Sequence, residues 1–321
     1  KLKKSSVLLV GIGGLGSPAA LYLAAAGVGR IGLADSDAVE PANLHRQIIH
    51  AAADIGRAKI ESAAESLRAI NPHVAIEPHN VRLAASNAAD LLKPYDVVLD
   101  CTDNFPARHL VNDTCVLLGK PDVYGSVSGF EGQASVFDAA RGPCYRCLCR
   151  ETPPPDVVPP AAETGVLGVV PGLVGLVQAT ETIKLILGKG DPLIGRLLMI
   201  DALAMKFREL KLPKDPDCPT CGKTPAAITA AELKNKFARK DEFILLDVRE
   251  RHEFDEKHIP GAVLIPLATL AANMQHLQRG VHIIVYCRSG GRSAHAAEIL
   301  RKAGFAKVTN LKGGILAWEK L

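Results

Sequence analysis

The sequence is poor in aromatic residues and has no large excess of charge of either sign. Its 321 residues include 8 Phe, 5 Tyr and one Trp, so it lacks the stacking platforms of proteins that bind single-stranded nucleic acid. The 38 basic and 34 acidic residues give a net charge of +4, which argues against a nucleic-acid partner. With 48% hydrophobic and 22% charged residues, the composition is typical of a globular protein, and the length predicts two domains.

Long uninterrupted apolar runs are also absent. Residues 5–29 carry no charge, but six glycines and Pro18 interrupt them, and this favours a strand, a loop and a helix. The second run, 165–177, is short and contains Pro171. The sequence therefore predicts no membrane-spanning helix and no membrane partner. Because the first residues lack a signal-peptide layout, we expect a cytoplasmic location.

The alternation of apolar segments predicts an α/β protein. Strands are expected at 7–10, 31–34, 96–100 and 133–137, and helices at 18–26 and 58–70. This order predicts a parallel sheet with helices on both faces. The proline-rich stretch 213–225 predicts a domain boundary. A second, smaller α/β domain follows, with Thr229 capping its first helix, strands at 243–247 and 282–286, and a helix at 293–303. We place the two domains at 1–223 and 226–321.

A glycine-rich loop joins the first predicted strand to the first predicted helix. It contains Gly11, Gly13, Gly14 and Gly16. Glycines allow a tight turn close to a phosphate, and the helix N-terminus offers free N–H groups to it. Asp35, at the end of the next strand, is well placed to bind a ribose hydroxyl. The loop predicts nucleotide binding and by itself leaves NAD and ATP open.

Further motifs follow this loop in a fixed order. The stretch from Asp35 to Gln47 reads D-S-D-A-V-E-P-A-N-L-H-R-Q, and G-R-A-K at 56–59, I-N-P at 70–72 and D-C-T-D-N at 100–104 come after it. Together they resemble the ubiquitin-activating-enzyme-like adenylyltransferases, which include MoeB and ThiF, over residues 5–223. The resemblance implies a Rossmann-like domain that binds ATP and Mg²⁺ and works as a homodimer.

The resemblance also assigns roles to individual residues. Arg46 and Lys59 would neutralise the triphosphate while charge builds on its oxygens, and Asn43 would contact phosphate. Asp103 would hold Mg²⁺; the alternative is that it caps the following helix. For Arg46 and Lys59 the alternatives are a surface ion pair and a solvated helix residue. Family members also carry an arginine before the first strand, and residues 1–5 offer no match for it.

The eight cysteines favour metal binding and a reactive thiol over a disulfide scaffold. Cys144 and Cys147 form one C-x-x-C pair, and Cys218 and Cys221 form another. Four thiolates in two such pairs predict a closed, structural Zn²⁺ site, as in the family, while a redox-active pair is the alternative. Cys149 is interpreted as a bystander.

One position departs from the family pattern. The stretch that usually reads Cys-Ala-Glu-x-Gly-Val begins with Ala161 here. In relatives, that cysteine has been assigned a covalent role. Alanine has no nucleophile, so this chain forms no covalent bond at that position.

A second loop surrounds a cysteine between a strand and a helix. It reads Cys287, Arg288, Ser289, Gly290, Gly291, Arg292 and Ser293. Loop N–H groups, a helix N-terminus and the two arginines predict a stabilised, nucleophilic thiolate; an inert buried cysteine is the alternative. The Cys-x4-Arg spacing is one residue shorter than the Cys-x5-Arg loop of tyrosine-type phosphatases.

This spacing resembles the rhodaneses, as do L-D-V-R at 246–249, H-I-P-G-A at 258–262 and G-G-I-L-A-W at 313–318. The resemblance covers 226–321 and implies that Cys287 carries a persulfide within the loop 288–293. Asp247 and Arg249 would brace the loop, and His258 would stabilise a turn.

The two halves together resemble MoeB–rhodanese fusions. The resemblance implies adenylylation of the C-terminal Gly-Gly carboxylate of a ubiquitin-like sulfur carrier of the MoaD/ThiS type, then transfer of persulfide sulfur to form a thiocarboxylate. Such carriers serve molybdopterin and thiamine biosynthesis, and thiosulfate or a cysteine desulfurase would supply the sulfur. The alternatives are an NAD-binding or a non-catalytic, partner-recruiting first domain, with only the rhodanese active.

Overall fold

The computed structural model describes residues 1–153, 165–216, 218–222 and 227–321. The chain divides into two units, Lys1–Gly222 and Lys223–Leu321. The sequence-based limits, 1–223 and 226–321, stay predictions, because residues 223 and 226 lie outside the described ranges.

The first unit contains a sheet of eight strands in the order β3-β2-β1-β4-β5-β6-β7-β8. In chain order, the strands are β1 (Ser6–Val10), β2 (Arg30–Asp35), β3 (Ala75–Asn80), β4 (Val97–Asp100), β5 (Asp122–Ser128), β6 (Glu131–Phe137), β7 (Arg196–Asp201) and β8 (Lys206–Lys211).

Only part of this sheet is parallel. Strands β3, β2, β1, β4 and β5 run parallel, whereas β6, β7 and β8 pair antiparallel. Just two residues, Gly129 and Phe130, join β5 to β6, and a link this short joins only antiparallel neighbours. The expectation of a purely parallel sheet was therefore wrong for this half.

Helices cover both faces of the sheet. The described helices of the first unit are α1 (Gly16–Ala25), α2 (Lys59–Ile70), α3 (Ala88–Leu92), α4 (Phe105–Leu118), α5 (Tyr145–Leu148) and α6 (Val169–Leu187). Short 3-10 turns occur at Leu2–Lys4, Pro41–Asn43 and Ala52–Asp54. Successive side chains of β1 alternate between faces: Val7 and Leu9 pack with α1, α2 and α6, and Leu8 and Val10 with α3 and α4.

Helix α6 is long and apolar enough to cross a membrane by length and composition. It packs on the sheet, and eight of its residues are buried. Three of those are the polar Gln178, Glu181 and Thr182. Gln178 donates to the carbonyls of Asp100 and Val123 at 2.8 and 2.9 Å, so this helix is tied to the strands beneath it.

The second unit is built on a parallel sheet of five strands in the order β11-β10-β12-β13-β9. Its strands are β9 (Ala227–Ile228), β10 (Phe243–Asp247), β11 (Val263–Leu264), β12 (His282–Tyr286) and β13 (Val308–Leu311). Its helices are α7 (Ala230–Ala238), α8 (Arg251–Glu256), α9 (Leu270–Asn273), α10 (Gly291–Lys302) and α11 (Gly314–Trp318), with 3-10 turns at Leu267–Thr269 and Met274–His276.

Thr229 caps α7 as predicted. Its hydroxyl accepts from the Glu232 N–H at 3.3 Å, and the Glu232 carboxylate accepts from the Thr229 N–H at 2.7 Å. Two buried clusters flank β12, one containing Ile283 and Val285, the other Ile284 and Tyr286. The central strand therefore delivers Cys287 at its carboxyl end, directly before α10.

Candidate functional site

The glycine loop lies between β1 and α1, and close backbone packing explains two of its glycines. Gly11 has a φ of +96°, and a Cβ there would lie 2.7 Å from the Cys101 carbonyl oxygen. A Cβ on Gly16 would lie 2.2 Å from the Gly11 carbonyl oxygen. Side chains at either position would push the loop away from the strand ends.

This loop forms one wall of a cavity of about 790 Å³. Seven of the predicted nucleotide-site residues line it: Gly11, Gly13, Gly14, Asp35, Arg46, Lys59 and Asp103. Gly16 and Asn43 do not. Gly16 starts α1 behind the loop, and Asn43 accepts from the Glu40 N–H at 3.3 Å through its side-chain oxygen.

The two predicted cations are held differently. The ammonium group of Lys59, whose side chain is 8% exposed, lies 2.9 Å from a carboxylate oxygen of Asp37. The Arg46 guanidinium donates to the Ala42 carbonyl at 3.0 Å. Arg46 pairs with no carboxylate among the described residues. A bound triphosphate would meet one guanidinium that has no carboxylate partner among the described residues and one ammonium that can exchange its partner.

The Asp35 carboxylate is fixed by backbone donors. It accepts from the N–H groups of Ile12 and Asp37 at 2.8 and 2.9 Å. Asp35 thereby ties the end of β2 to the glycine loop. Its remaining lone pairs are available to a ribose hydroxyl.

Asp103 does not cap α4. The cap is Asn104, whose side-chain oxygen accepts from the Ala107 N–H at 3.0 Å. Asp103 is exposed and receives a hydrogen bond at 3.2 Å from the Asn104 amide. Its carboxylate therefore remains available to a cation in the cavity.

Sequence reasoning missed Arg108, which also lines the cavity. It is buried on α4, and its guanidinium carbon lies 5.7 Å from the ring centre of Tyr124. Burial raises the pKa of the neighbouring Asp100, against the opposing effect of Arg108. Arg108 lies one helical turn after the capping Asn104 of α4. This spacing was the signal in the sequence that could have placed Arg108 near the cavity.

The four cysteines of the two C-x-x-C pairs come together. The sulfurs of Cys144 and Cys218 lie 3.6 Å apart, and those of Cys147 and Cys221 lie 3.4 Å apart. All four sulfurs lie within 4.8 Å of one another. Tetrahedral Zn²⁺ with Zn–S bonds of about 2.3 Å separates its sulfurs by about 3.8 Å, so the cluster fits this ion.

Asp113 connects the two pairs. Its carboxylate accepts from Arg146, within the first pair, at 2.8 Å and from the Thr220 hydroxyl, within the second, at 3.1 Å. Asp113 of α4 thereby ties a residue within each pair to the same helix, which fits a structural metal site. Cys149 lies outside the cluster and donates to the Glu151 carbonyl at 3.2 Å. Ala161 lies outside the described residues.

The thiol loop surrounds Cys287, which is 1% exposed. Its sulfur accepts from the Gly290 N–H at 3.2 Å and the Ser293 hydroxyl at 3.3 Å. Burial opposes ionisation, but the Ser293 hydroxyl and the N–H groups of Ser293, Gly290 and Ser289 outweigh it and lower the pKa of the Cys287 thiol. This geometry fits a nucleophile and not an inert core cysteine.

The arginines of this loop contribute differently from the prediction. Both terminal nitrogens of the Arg292 guanidinium donate to the Glu253 carboxylate, at 2.7 and 2.6 Å. Most of the positive charge of Arg292 is therefore neutralised. Arg288 is exposed. The hydrogen-bond donors around the sulfur, rather than the arginines, are the main stabilising groups.

Asp247 and Arg249 form a buried, bidentate ion pair with a shortest distance of 2.7 Å. Arg249 also donates to the Lys257 carbonyl at 2.6 Å. The pair braces the segment after β10. His258 stacks on Phe254 with ring centres 4.0 Å apart, and its Nδ1 lies 2.9 Å from the Phe254 carbonyl oxygen.

Models of two known protein families match this chain, one over the first unit and one over the second. A model of the ThiF family matches residues 1–220. The chain belongs to the ThiF family. A model of the rhodanese-like domain matches residues 229–321, so this ThiF-family chain continues into a rhodanese-like domain.

Several relatives are similar to this chain over its whole length. The probable adenylyltransferase/sulfurtransferase MoeZ of Mycobacterium tuberculosis is 47% identical and is covered over 88% of its length by the whole of this chain. The adenylyltransferase and sulfurtransferase MOCS3 of Anopheles gambiae is 41% identical, with 100% of this chain and 82% of that protein covered.

A solved structure of Escherichia coli MccB with ATP shares the fold. It superposes with a TM-score of 0.62 at 23% identity and covers 69% of this chain and 68% of its own. At this identity the likeness concerns the ThiF-family fold alone.

Proposed function

We propose that this ThiF-family chain adenylylates the C-terminal glycine carboxylate of a ubiquitin-like sulfur carrier and converts it to a thiocarboxylate with sulfur carried on Cys287. The chain is an enzyme with an adenylyltransferase domain and a sulfurtransferase domain, like its MoeZ and MOCS3 relatives. The observation that carries the proposal is the presence in one chain of a cation-lined cavity at a glycine loop and a buried thiol of lowered pKa. The NAD-binding and scaffold alternatives are not favoured.

The cavity suits activation of a carboxylate by ATP. The carrier's carboxylate oxygen attacks the α-phosphorus, the bond to the bridging oxygen breaks, and pyrophosphate leaves. Arg46 and Lys59 would offset the charge on the phosphate oxygens, with Lys59 exchanging Asp37 for phosphate. Asp35 would hold the ribose. Mg²⁺, held by Asp103, would neutralise charge on the phosphates.

The thiol loop suits the second half-reaction. The Cys287 thiolate takes the sulfane sulfur of thiosulfate, sulfite leaves, and a persulfide forms; a cysteine desulfurase persulfide would donate in the same way. The outer sulfur attacks the acyl carbon and AMP leaves, which gives an acyl disulfide. Because Ala161 offers no thiol, an external thiol then attacks the Cys287 sulfur and releases the thiocarboxylate. A second thiol reduces the mixed disulfide that remains.

Three further features belong to this proposal. The cysteine cluster would hold a structural Zn²⁺. The chain would act in the cytoplasm, on carriers of molybdopterin or thiamine biosynthesis. It would form a homodimer, and apolar side chains left exposed on α6 and edge strand β8 support this: Val169, Phe207 and Leu210 are 64%, 53% and 51% exposed. Light scattering should give a dimer mass that Phe207→Glu reduces to a monomer mass.

The test is the intact mass of a Gly-Gly-ended carrier after incubation with the chain, Mg·ATP, thiosulfate and a thiol. Exchange of one oxygen for sulfur at the C-terminus is expected. Cys287→Ser should stop at the AMP adduct, whereas Lys59→Met should yield neither product. Full thiocarboxylate formation by Cys287→Ser, without another sulfide source, would contradict the proposal.

A further inference from the structure

A segment near the end of the second unit donates hydrogen bonds to backbone carbonyls of the thiol loop. The Ile315 N–H donates to the Cys287 carbonyl at 2.9 Å, and the Leu316 N–H donates to the Arg288 carbonyl at 3.2 Å. The Asn310 side-chain amide donates to the Gly290 carbonyl at 3.0 Å. Three loop carbonyls are therefore bound by one segment, 310–316.

Fixing the Arg288 carbonyl also fixes one of the N–H groups that face the sulfur. In a trans peptide the carbonyl and the following N–H point in opposite directions. Holding the Arg288 carbonyl outward thus turns the Ser289 N–H inward, where it is one of the donors that lower the pKa of Cys287. The Gly290 carbonyl also accepts from the Ala294 N–H at 3.1 Å, so the Asn310 amide is a second donor that fixes the start of α10, the helix that carries Ser293 and its two donors to the sulfur.

The close approach of the segment requires glycine. A Cβ on Gly314 would lie 2.2 Å from the Cys287 carbonyl oxygen and 2.5 Å from that of Arg288. A Cβ on Gly290, whose φ is +100°, would lie 3.2 Å from the Gly313 nitrogen. The two backbones are in direct contact, with no room for side chains between them.

Asn310 is a costly residue for its place in the sheet. It lies on β13 between Val285 of β12 and Ala227 of β9. Its side-chain oxygen is buried and has no hydrogen-bond partner among the described residues. An apolar residue of this size would avoid the unsatisfied acceptor, so the contact made by the amide donor is what distinguishes asparagine here.

We propose that Asn310 is a positioning residue, which with the backbone of 313–316 holds the persulfide loop in the conformation that points its N–H groups at the Cys287 sulfur. This inference rests on the proposed role of Cys287 in sulfur transfer. Asn310 does not contact the sulfur, and it acts through the peptide between Gly290 and Gly291 at the start of α10.

The test compares the Asn310→Leu variant with the unmodified protein, both as the full chain. Leucine has a similar volume, lacks the donor and removes the unsatisfied acceptor. We expect the pKa of Cys287 to rise by about one unit, a tenfold loss of thiolate at neutral pH. The readout is the pH dependence of iodoacetamide alkylation at the Cys287 peptide. The kcat for thiosulfate-to-cyanide sulfur transfer should fall several-fold with little change in KM.

The matched control is Thr309→Val, on the neighbouring residue of β13. It removes a hydroxyl 2.8 Å from the His282 ring, away from the loop. It should change the melting temperature without moving the alkylation profile. An unchanged profile in Asn310→Leu would overturn the proposal. If that variant does not fold, Asn310→Ser, which is too short to reach Gly290, replaces it under the same criterion.

The measurement separates this inference from the proposed function. A shifted alkylation profile in Asn310→Leu, together with no sulfur transfer by the unmodified protein, would support the positioning role and contradict the sulfur-transfer function. Normal sulfur transfer by the unmodified protein, together with an unshifted profile in Asn310→Leu, would support the sulfur-transfer function and contradict the positioning role.

Discussion

The hydroxyl of Ser293 is the side-chain donor that most stabilises the Cys287 thiolate. It lies 3.3 Å from the sulfur and is fully buried. A hydrogen bond to a charged group contributes about 1.5–3 kcal/mol. At about 1.4 kcal/mol per pKa unit, Ser293→Ala should raise the pKa of Cys287 by about one to two units. The thiolate fraction near neutrality would then fall about 10- to 100-fold.

The sign of the effect on stability follows from the same shift. Because the folded-state pKa of Cys287 is lowered from its ordinary value of 9.0, ionisation stabilises the fold above pH 9.0. That contribution is lost as the pH falls through the folded-state pKa. Ser293→Ala should therefore lower the melting temperature more at alkaline than at acidic pH.

The assay is the pH profile of alkylation at the Cys287 peptide, paired with thiosulfate-to-cyanide sulfur transfer. Ser293→Thr keeps a hydroxyl at the same atom and should stay within a few tenths of a unit of the unmodified protein. A profile for Ser293→Ala that matches the unmodified protein would refute the reasoning, since it would leave the backbone N–H groups as the only effective donors.

Three further predictions concern other parts of the molecule. Lys59→Met should reduce carrier-dependent pyrophosphate exchange by about 10²-fold, while Lys93→Met, a lysine outside the cavity lining, should not; equal rates would remove Lys59 from the triphosphate site. One zinc per chain should be found by elemental analysis, and Cys218→Ser should lose it and lower the melting temperature; a metal-free chain of unchanged stability would exclude the site. Arg292 lowers the pKa of Glu253 to about 2, so this pair's contribution, about 1 kcal/mol at a partly exposed site, should be present above pH 4.5 and disappear between pH 4.5 and 2; a Glu253→Gln variant with an equally steep acid loss would contradict this.

Features encoded within short stretches of sequence were predictable. The glycine loop, the thiol loop and the cap at Thr229 each depend on residues adjacent in the chain, and the structure places all three at the ends of the predicted elements. The cysteine pairs were predictable for another reason. Their residue type and spacing carry the chemistry even though the two pairs are 70 residues apart.

Features that depend on contacts between distant residues could not be predicted from the sequence. Glu253 and Arg292 are 39 residues apart, and nothing local to the thiol loop indicates that its arginine is neutralised. The antiparallel strands β6 to β8 depend on the link at Gly129 and Phe130, which the composition of the strands does not reveal. Arg108 was missed because an arginine on a helix is usually a solvated surface residue.

Both candidate sites use the same structural device for different ligands. In each, a glycine-containing loop leaves the carboxyl end of a parallel strand and enters a helix, so that backbone N–H groups converge on one point. Around the first loop the cavity is wide, Arg46 has no carboxylate partner among the described residues, and Lys59 can exchange Asp37, which suits several phosphates. Around the second, the loop closes on one sulfur and Glu253 neutralises the nearby arginine. Two cations that can bind phosphate beside the first loop, and an Arg292 paired with Glu253 beside the second, therefore separate a polyanion site from a site for a single thiolate or persulfide.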